Sequence, residues 1–420
     1  MEDEKVLIML TSEFPYGNKE AFIESEQVIF NKFSEVVIIP CHDDIPPVLR
    51  NSIFHNVNIN VIRLEDSIRT LSALKLVYKC LKGMFNLTLI KEILLMIKKG
   101  SFTITKLKEL LSFVVTGDIK VSEIKKVLNK KYSSESIIFY SYWMHIHAYI
   151  ALKLKESFPG SKAITRCHGY DLYEFRHDSN YIPLRKYILE NEDAIFAISE
   201  DGKKYIDQKY NDFSMNVAYS RLGTIDNGFN QNRLSRLPLK IISCSNLVEV
   251  KRVHKIIEAL NLIDEFEIIW KHYGDGILLE GLRALSNEKL SLKHNISFSF
   301  EGAKPNSEII KDYKNNDYNL FLNVSEMEGV PVSIMEALSF GIPAIATNVG
   351  GTKEIVITGV TGYLIDKDFS SESLATKIKF LNNLSEQEYE ELRISTRQFW
   401  ESECNAEKKY YEFYNTICNL

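Results

Sequence analysis

The 420-residue sequence is poor in cysteine: Cys41, Cys80, Cys167, Cys244, Cys404 and Cys418 are scattered, with no C-x-x-C pair and no disulfide-like spacing. No disulfide framework is expected, and the pattern reads as reduced thiols in a cytoplasmic protein. Positive charge is not in excess either. Lys and Arg number 51 against 56 Asp and Glu, a net charge of −5, which argues against nucleic acid as the main partner. No uninterrupted apolar stretch is long enough to span a bilayer. The acidic start Met1-Glu2-Asp3-Glu4-Lys5 leads into an apolar run too short for a secretory signal. There is no G-x-G-x-x-G fingerprint, which counts against a nicotinamide or flavin oxidoreductase. No internal repeat or low-complexity tract stands out. Asp366-Lys367-Asp368 has D-x-D spacing, but it follows Gly362-Tyr363-Leu364-Ile365 and reads as an exposed turn, so no metal is expected there.

The composition that remains, 45% hydrophobic and 25% charged, is ordinary for a soluble globular protein. The length is too great for one comfortable core, and two domains of about 200 residues each are expected. Short apolar runs alternate with helical patterns, the mark of stacked βαβ units. Strands are predicted at Val6–Leu10, Val36–Pro40, Ile137–Tyr140, Ala163–Thr165 and Ala194–Ile198 in the first half. In the second half they fall at Ile241–Cys244, Ile268–Tyr273, Ile296–Phe300, Leu320–Val324 and Ala344–Thr347. Between the sets lies a polar, irregular segment with Gly223, Gly228 and several Asn. The pattern predicts an α/β protein of two doubly wound Rossmann-like domains, with ligands at the carboxyl ends of the strands.

The most informative stretch is Ser325-Glu326-Met327-Glu328-Gly329-Val330-Pro331-Val332-Ser333-Ile334-Met335-Glu336-Ala337. It follows a buried-strand pattern and ends at the helix stop Gly341-Ile342-Pro343. A short helix is therefore predicted to open near Pro331, with Glu328 in the turn before it and Glu336 one or two turns in. The helix start presents backbone N–H groups and partial positive charge to phosphate oxygens. Carboxylates on either side of an anion site suit a ligand with hydroxyls on both sides of a diphosphate, as in a nucleotide sugar.

This stretch, continued through Ala337-Leu338-Ser339-Phe340-Gly341-Ile342-Pro343 and Val349-Gly350-Gly351-Thr352-Lys353-Glu354, resembles the signature of glycosyltransferase family 4, retaining enzymes of the GT-B fold. The resemblance implies that Glu336 holds the ribose hydroxyls, Glu328 the sugar hydroxyls, and Gly329, Val330, Pro331, Val332 and Ser333 the sugar and phosphates. It implies Lys251 as the group that stabilises the departing diphosphate. Family members carry Gly-Arg where Ser245-Asn246 stand, so Asn246 supplies an amide in place of a charge; Arg252 is a candidate substitute. Taken alone, Lys251 reads as a solvated lysine. His168, in Arg166-Cys167-His168-Gly169-Tyr170-Asp171, is similar to the family's His-Gly-x-Asp segment, whose histidine meets the donor sugar; alone it reads as a core histidine. Gly17, in the loop after the first strand, matches a glycine-bearing loop that lets backbone approach the donor phosphate, although an ordinary turn fits it as well. Gly274-Asp275-Gly276 and Gly350-Gly351 read as architecture. Enzymes of this fold work without a metal, and no cofactor is implied beyond the nucleotide-sugar co-substrate.

The resemblance divides the chain into an acceptor-side domain over 1–222, a linker over 223–238, a donor domain over 239–396, and a terminal helix over 397–420 that crosses back onto the first domain. It implies a metal-independent hexosyltransferase. The donor would be a nucleotide diphosphate sugar, UDP-linked ahead of GDP-linked, and the acceptor a hydroxyl of a glycan or polyprenyl-linked oligosaccharide in bacterial exopolysaccharide or capsule assembly. A non-catalytic sugar-nucleotide-binding subunit and a GT-B epimerase are the alternatives. Residues 69–108 hold nine Lys and Arg and one Glu among apolar residues. They suit either helices with a solvated basic face or a peripheral contact with anionic membrane at the inner face of the cell membrane. The aromatic-rich end, Arg397 to Leu420, reads as structural. Nothing in the sequence sets the oligomeric state.

Overall fold

The computed structural model describes residues 5–17, 20–42, 44–45, 48–50, 58–64, 87–129, 131–132, 137–229 and 235–420. The chain forms two compact units, residues 1–220 with 413–420, and residues 221–412. Each is built on an all-parallel sheet.

In the first unit the strands are β1 (Val6–Thr11), β2 (Glu35–Pro40), β3 (Ile59–Val61), β4 (Ile137–Ser141), β5 (Lys162–Cys167), β6 (Ala194–Ala197) and β7 (Val217–Tyr219), in the order β3-β2-β1-β4-β5-β6-β7. The central strands are apolar runs buried on both faces, as helix-covered parallel strands require. The helices are α1 (Leu87–Lys98), α2 (Ile104–Leu128), α3 (Ile146–Lys155), α4 (Arg185–Asn191) and α5 (Glu200–Lys209). Thr103 and Ser199 cap α2 and α5, their side chains accepting from the N–H groups of Lys106 and Gly202.

The second unit holds β8 (Leu239–Cys244), β9 (Ile268–Tyr273), β10 (Ile296–Phe300), β11 (Leu320–Asn323), β12 (Ala344–Thr347) and β13 (Gly362–Ile365), ordered β10-β9-β8-β11-β12-β13. Its helices are α6 (His254–Asn261), α7 (Leu279–Leu290), α8 (Asn306–Asn315), α9 (Val332–Ser339), α10 (Ser371–Asn382), α11 (Glu386–Glu403) and α12 (Ala406–Cys418). Both sheets have the doubly wound order, which reverses between β1 and β4 and between β8 and β11.

All ten predicted strands are present. The three that the sequence did not show, β3, β7 and β13, are edge strands of only three or four residues. The segment expected as a linker is tied down within the second unit. Thr224 exchanges backbone bonds with Cys404 and Ala406, its hydroxyl accepts from Trp400 Nε1 at 2.8 Å, and Asp226 pairs with Arg397. The end of α12 belongs to the first unit, where Phe413 packs on Tyr140, Phe196 and the Arg166 guanidinium.

Candidate functional site

In the second unit the crevice expected at a strand-order reversal lies beyond the ends of β8 and β11. From β8 the chain runs through Ser245 and Asn246 to a 3-10 turn, Glu249–Lys251; from β11 it turns into α9. These two excursions meet. Lys251 Nζ donates to Glu328 Oε1 at 2.6 Å, and Asn323 Nδ2 donates to the same oxygen at 3.3 Å. The side chains of the pair are 21% and 11% exposed, so the charges face each other with little water between them.

Pro331 is the N-cap of α9, and no side chain caps the helix. The N–H groups of Ile334 and Met335 turn back to the Pro331 carbonyl at 3.1 and 3.3 Å. Those of Val332 and Ser333, in the first turn, have no intrahelical acceptor and carry the helix's partial positive charge. The helix ends in a Schellman motif: Ile342 N–H bonds to Ala337 O at 3.1 Å and Gly341 N–H to Leu338 O at 2.9 Å, with Gly341 at φ +73°.

Glu336 sits on the second turn, and its Oε1 accepts from Asn306 Nδ2 at 2.5 Å. Burial pushes its carboxyl up to about 7, against the lowering pull of the Asn306 amide. Cys244, at the end of β8, is close by; burial and then the Glu336 carboxylate push its thiol up to about 12. Asn306 Oδ1 is buried with no hydrogen-bond donor among the described residues, which leaves an acceptor beside Glu336. Sequence reasoning missed Asn306, which lies outside the motif and carries no signature of its own.

The turn before α9 is anchored from three directions. Arg252 donates from Nε to Val324 O at 2.9 Å, from one terminal nitrogen to Ser325 O at 3.2 Å, and from the other to Lys367 O at 2.9 Å. Its guanidinium is thus committed to carbonyls. Thr347 donates its hydroxyl to Ser325 O, and Glu326 N–H bonds to Val250 O at 2.8 Å. Gly350, at φ +49°, lies so close that a Cβ there would come within 2.1 Å of Glu328 O. Asn246 is exposed, with its own carbonyl accepting from Val248 N–H. Asp366-Lys367-Asp368 is an exposed turn. Among the described residues no group of three or more His, Cys, Asp or Glu could hold a metal ion.

In the first unit His168 follows β5 and is buried, with neither ring nitrogen hydrogen-bonded among the described residues. Trp143, Tyr142 and Phe22 surround the ring at centroid distances of 4.5, 5.0 and 6.1 Å. Asp171 organises the loop, accepting from the backbone N–H groups of His168 and Met144, both at 2.6 Å. Burial works to raise the Asp171 carboxyl, but the adjacent His168 ring and these two donors hold it below its ordinary value. In the loop after β1, the carbonyl of Gly17 accepts from Arg50 Nε. The N–H groups of Ser12, Glu13 and Phe14 all donate to Glu20, at 3.1, 2.7 and 2.7 Å. The same carboxylate accepts from Trp143 Nε1 at 2.5 Å, tying the loops after β1 and β4 together at the strand-order reversal. Glu20 was legible only as one glutamate among many.

Residues 225–399 match the family model for glycosyl transferases group 1. Over 247 residues the chain is 28% identical to a protein of Escherichia coli (strain K12), provisionally assigned as the colanic acid biosynthesis glycosyltransferase WcaL; the match covers 57% of this chain and 60% of that protein. The chain thus spans about 60% of the length of that curated relative. Among solved structures, sucrose-phosphate synthase from Thermosynechococcus elongatus superposes with a TM-score of 0.72 at 15% identity, over 98% of each chain. Anabaena HepE in complex with UDP gives 0.67 at 13% identity, over 99% of this chain and 100% of that one. These likenesses show the fold: two parallel-sheet, Rossmann-like units of the GT-B type.

Proposed function

We propose that this chain, with its group 1 glycosyltransferase match over residues 225–399, is a retaining hexosyltransferase of polysaccharide assembly. It moves a hexose from a nucleotide diphosphate sugar, UDP-linked ahead of GDP-linked, to a hydroxyl of a glycan or lipid-linked oligosaccharide. The observation that carries this reading is the convergence of Lys251, Glu328, the uncapped start of α9 and Glu336 at one strand-order reversal. The amides of Val332 and Ser333 suit a diphosphate. Glu336 suits the ribose diol on one side, and Glu328 the sugar hydroxyls on the other. Lys251 stabilises negative charge as the diphosphate leaves, with no metal required. On the same face of the sugar, a diphosphate oxygen takes the acceptor's proton as the new bond forms. Glu328 orients and stabilises; it is not assigned as a nucleophile. His168 Nδ1 faces Asp171, 3.7 Å from its Oδ2, and Nε2 is the ring nitrogen assigned to a hydroxyl of the substrate.

The test is release of nucleoside diphosphate from a panel of UDP- and GDP-sugars, with and without a bacterial lipid extract, beside the Glu328→Ala variant. Release from one donor, raised by the extract and lost in the variant, is the expected result. A second reading, a subunit that binds the donor without turnover, is favoured by one feature. Asn246 supplies no charge, Arg252 is held by carbonyls, and Lys251 is already paired. Donor binding with no release from any sugar would establish that reading, with Asn246→Arg as the variant to restore transfer.

A further inference from the structure

Helix α1 carries an exposed apolar stripe. Leu89, Glu92 and Met96 are buried, while Leu87, Ile90, Leu94 and Ile97, spaced three and four apart on another face, are 73%, 39%, 59% and 57% exposed. Phe102 and Ile104 extend the exposed apolar surface beyond the helix end. Isolated exposed leucines need no explanation, but a contiguous stripe marks a contact surface.

The exposed charges of α1 itself are lysines. Lys91 and Lys98 flank it and have no ion-pair partner among the described residues. Lys99, Lys106 and Lys108 follow in sequence. The one acid of the helix, Glu92, points inward and accepts from Tyr181 Oη at 3.0 Å. Beside the stripe, between α1 and α4, lies an open groove of about 520 Å³ lined by Leu87, Leu94, Leu95, Lys91, Lys98 and Lys186 among others. Glu190 also lines it, 3.6 Å from Lys186.

We infer that this face of α1, with its lysine-lined groove, docks the protein on an anionic bilayer. The apolar stripe inserts at the headgroup boundary while the lysines meet lipid phosphates. A protein partner or a second copy would account for the leucines and isoleucines, but it would leave Lys91 and Lys98 unexplained. Lys91 and Lys98, without an ion-pair partner among the described residues, are what favour lipid. The inference does not depend on the proposed transfer reaction, and its test does not use activity.

The test is flotation of the purified full chain with vesicles of phosphatidylcholine alone and of phosphatidylcholine with phosphatidylglycerol, at low and high salt. Binding is expected only to the anionic vesicles, weakening with salt. Removing one lysine should cost about fivefold in partitioning. The double variants Leu94→Ser/Ile97→Ser and Lys91→Glu/Lys98→Glu should each abolish it; all four side chains are exposed, so folding is unaffected, as circular dichroism would show. Failure of the wild type to bind anionic vesicles at low salt overturns the inference. So does binding that both double variants retain. Self-association in sedimentation velocity that Leu94→Ser/Ile97→Ser disperses, with no vesicle binding, overturns it in favour of a contact between copies.

Discussion

Glu336 sets the pH dependence expected of donor binding. As a carboxylate it accepts from two ribose hydroxyls; protonated, it loses one of those acceptors. With its carboxyl raised to about 7, donor affinity should rise as pH rises through about 7 and level off above. The stability sign is opposite. Between the ordinary carboxyl value of 4.5 and about 7 the folded state holds a proton that the unfolded state releases, so stability falls as pH rises across that window. Asn306→Ala removes the bond that pulls the carboxyl down, and should move the midpoint of donor affinity upward; Glu336→Gln should flatten the profile. Titration calorimetry of nucleoside diphosphate across pH reads both, and an unchanged midpoint in Asn306→Ala would count against the pairing. Lys251→Ala should lower turnover by about 10²- to 10³-fold, the scale of losing one charge-stabilising donor, with a smaller loss of donor affinity. At this scale the sequence singled out Glu328, Glu336, Lys251 and His168 as candidates, because each lies inside or beside a motif. Asn306 lies outside the motifs, and Glu20, at the end of the loop that holds Gly17, was not singled out.

Among the elements, α9 and the turn before it were the most legible, because the chain punctuates them locally with Pro331 at the start and Gly341 at the stop. What holds that turn in place was not legible. Gly350 packs on the Glu328 carbonyl from after β12, and Gly351 N–H bonds to Gly329 O at 2.8 Å. Gly350→Ala should therefore displace the Glu328 turn, weakening donor binding as well as destabilising the unit. Gly302→Ala is the control: its φ of +73° makes alanine strained, but a Cβ there meets nothing within 4 Å. It should cost about 1–2 kcal/mol of stability with donor affinity unchanged. Thermal melts and donor titration of the two variants separate strain from displacement. The edge strands β3, β7 and β13 show the same limit, since three or four residues are too few to set a period.

For the whole molecule, the last residues of the chain complete the first unit. Phe413 is 2% exposed and covers a buried group in which Arg166 lies 3.4 Å from Glu26 and donates to Tyr140 Oη at 2.8 Å. Burial raises the Glu26 carboxyl, and the Arg166 charge opposes that rise. Phe413→Ala should cost the first unit about 3–5 kcal/mol, the range for emptying a buried aromatic site. Calorimetry should show an earlier transition for that unit with the second unit's transition in place. A single unshifted transition would show that the chain end contributes little.

By itself the sequence determined the strand–helix alternation, the two-unit α/β architecture and the motif that opens α9, because periodicity and punctuation are properties of neighbours along the chain. Only the tertiary structure decided that Lys251 and Glu328, 77 residues apart, form an ion pair, that Asn306 meets Glu336, and that Glu20 bonds to Trp143. It also decided that the exposed face of α1 carries an apolar stripe beside Lys91 and Lys98, where the sequence left a solvated basic face and a membrane contact both open. The reason is physical. Which distant side chains meet is set by strand order, register and the direction in which each helix is packed, and local sequence pattern encodes none of these.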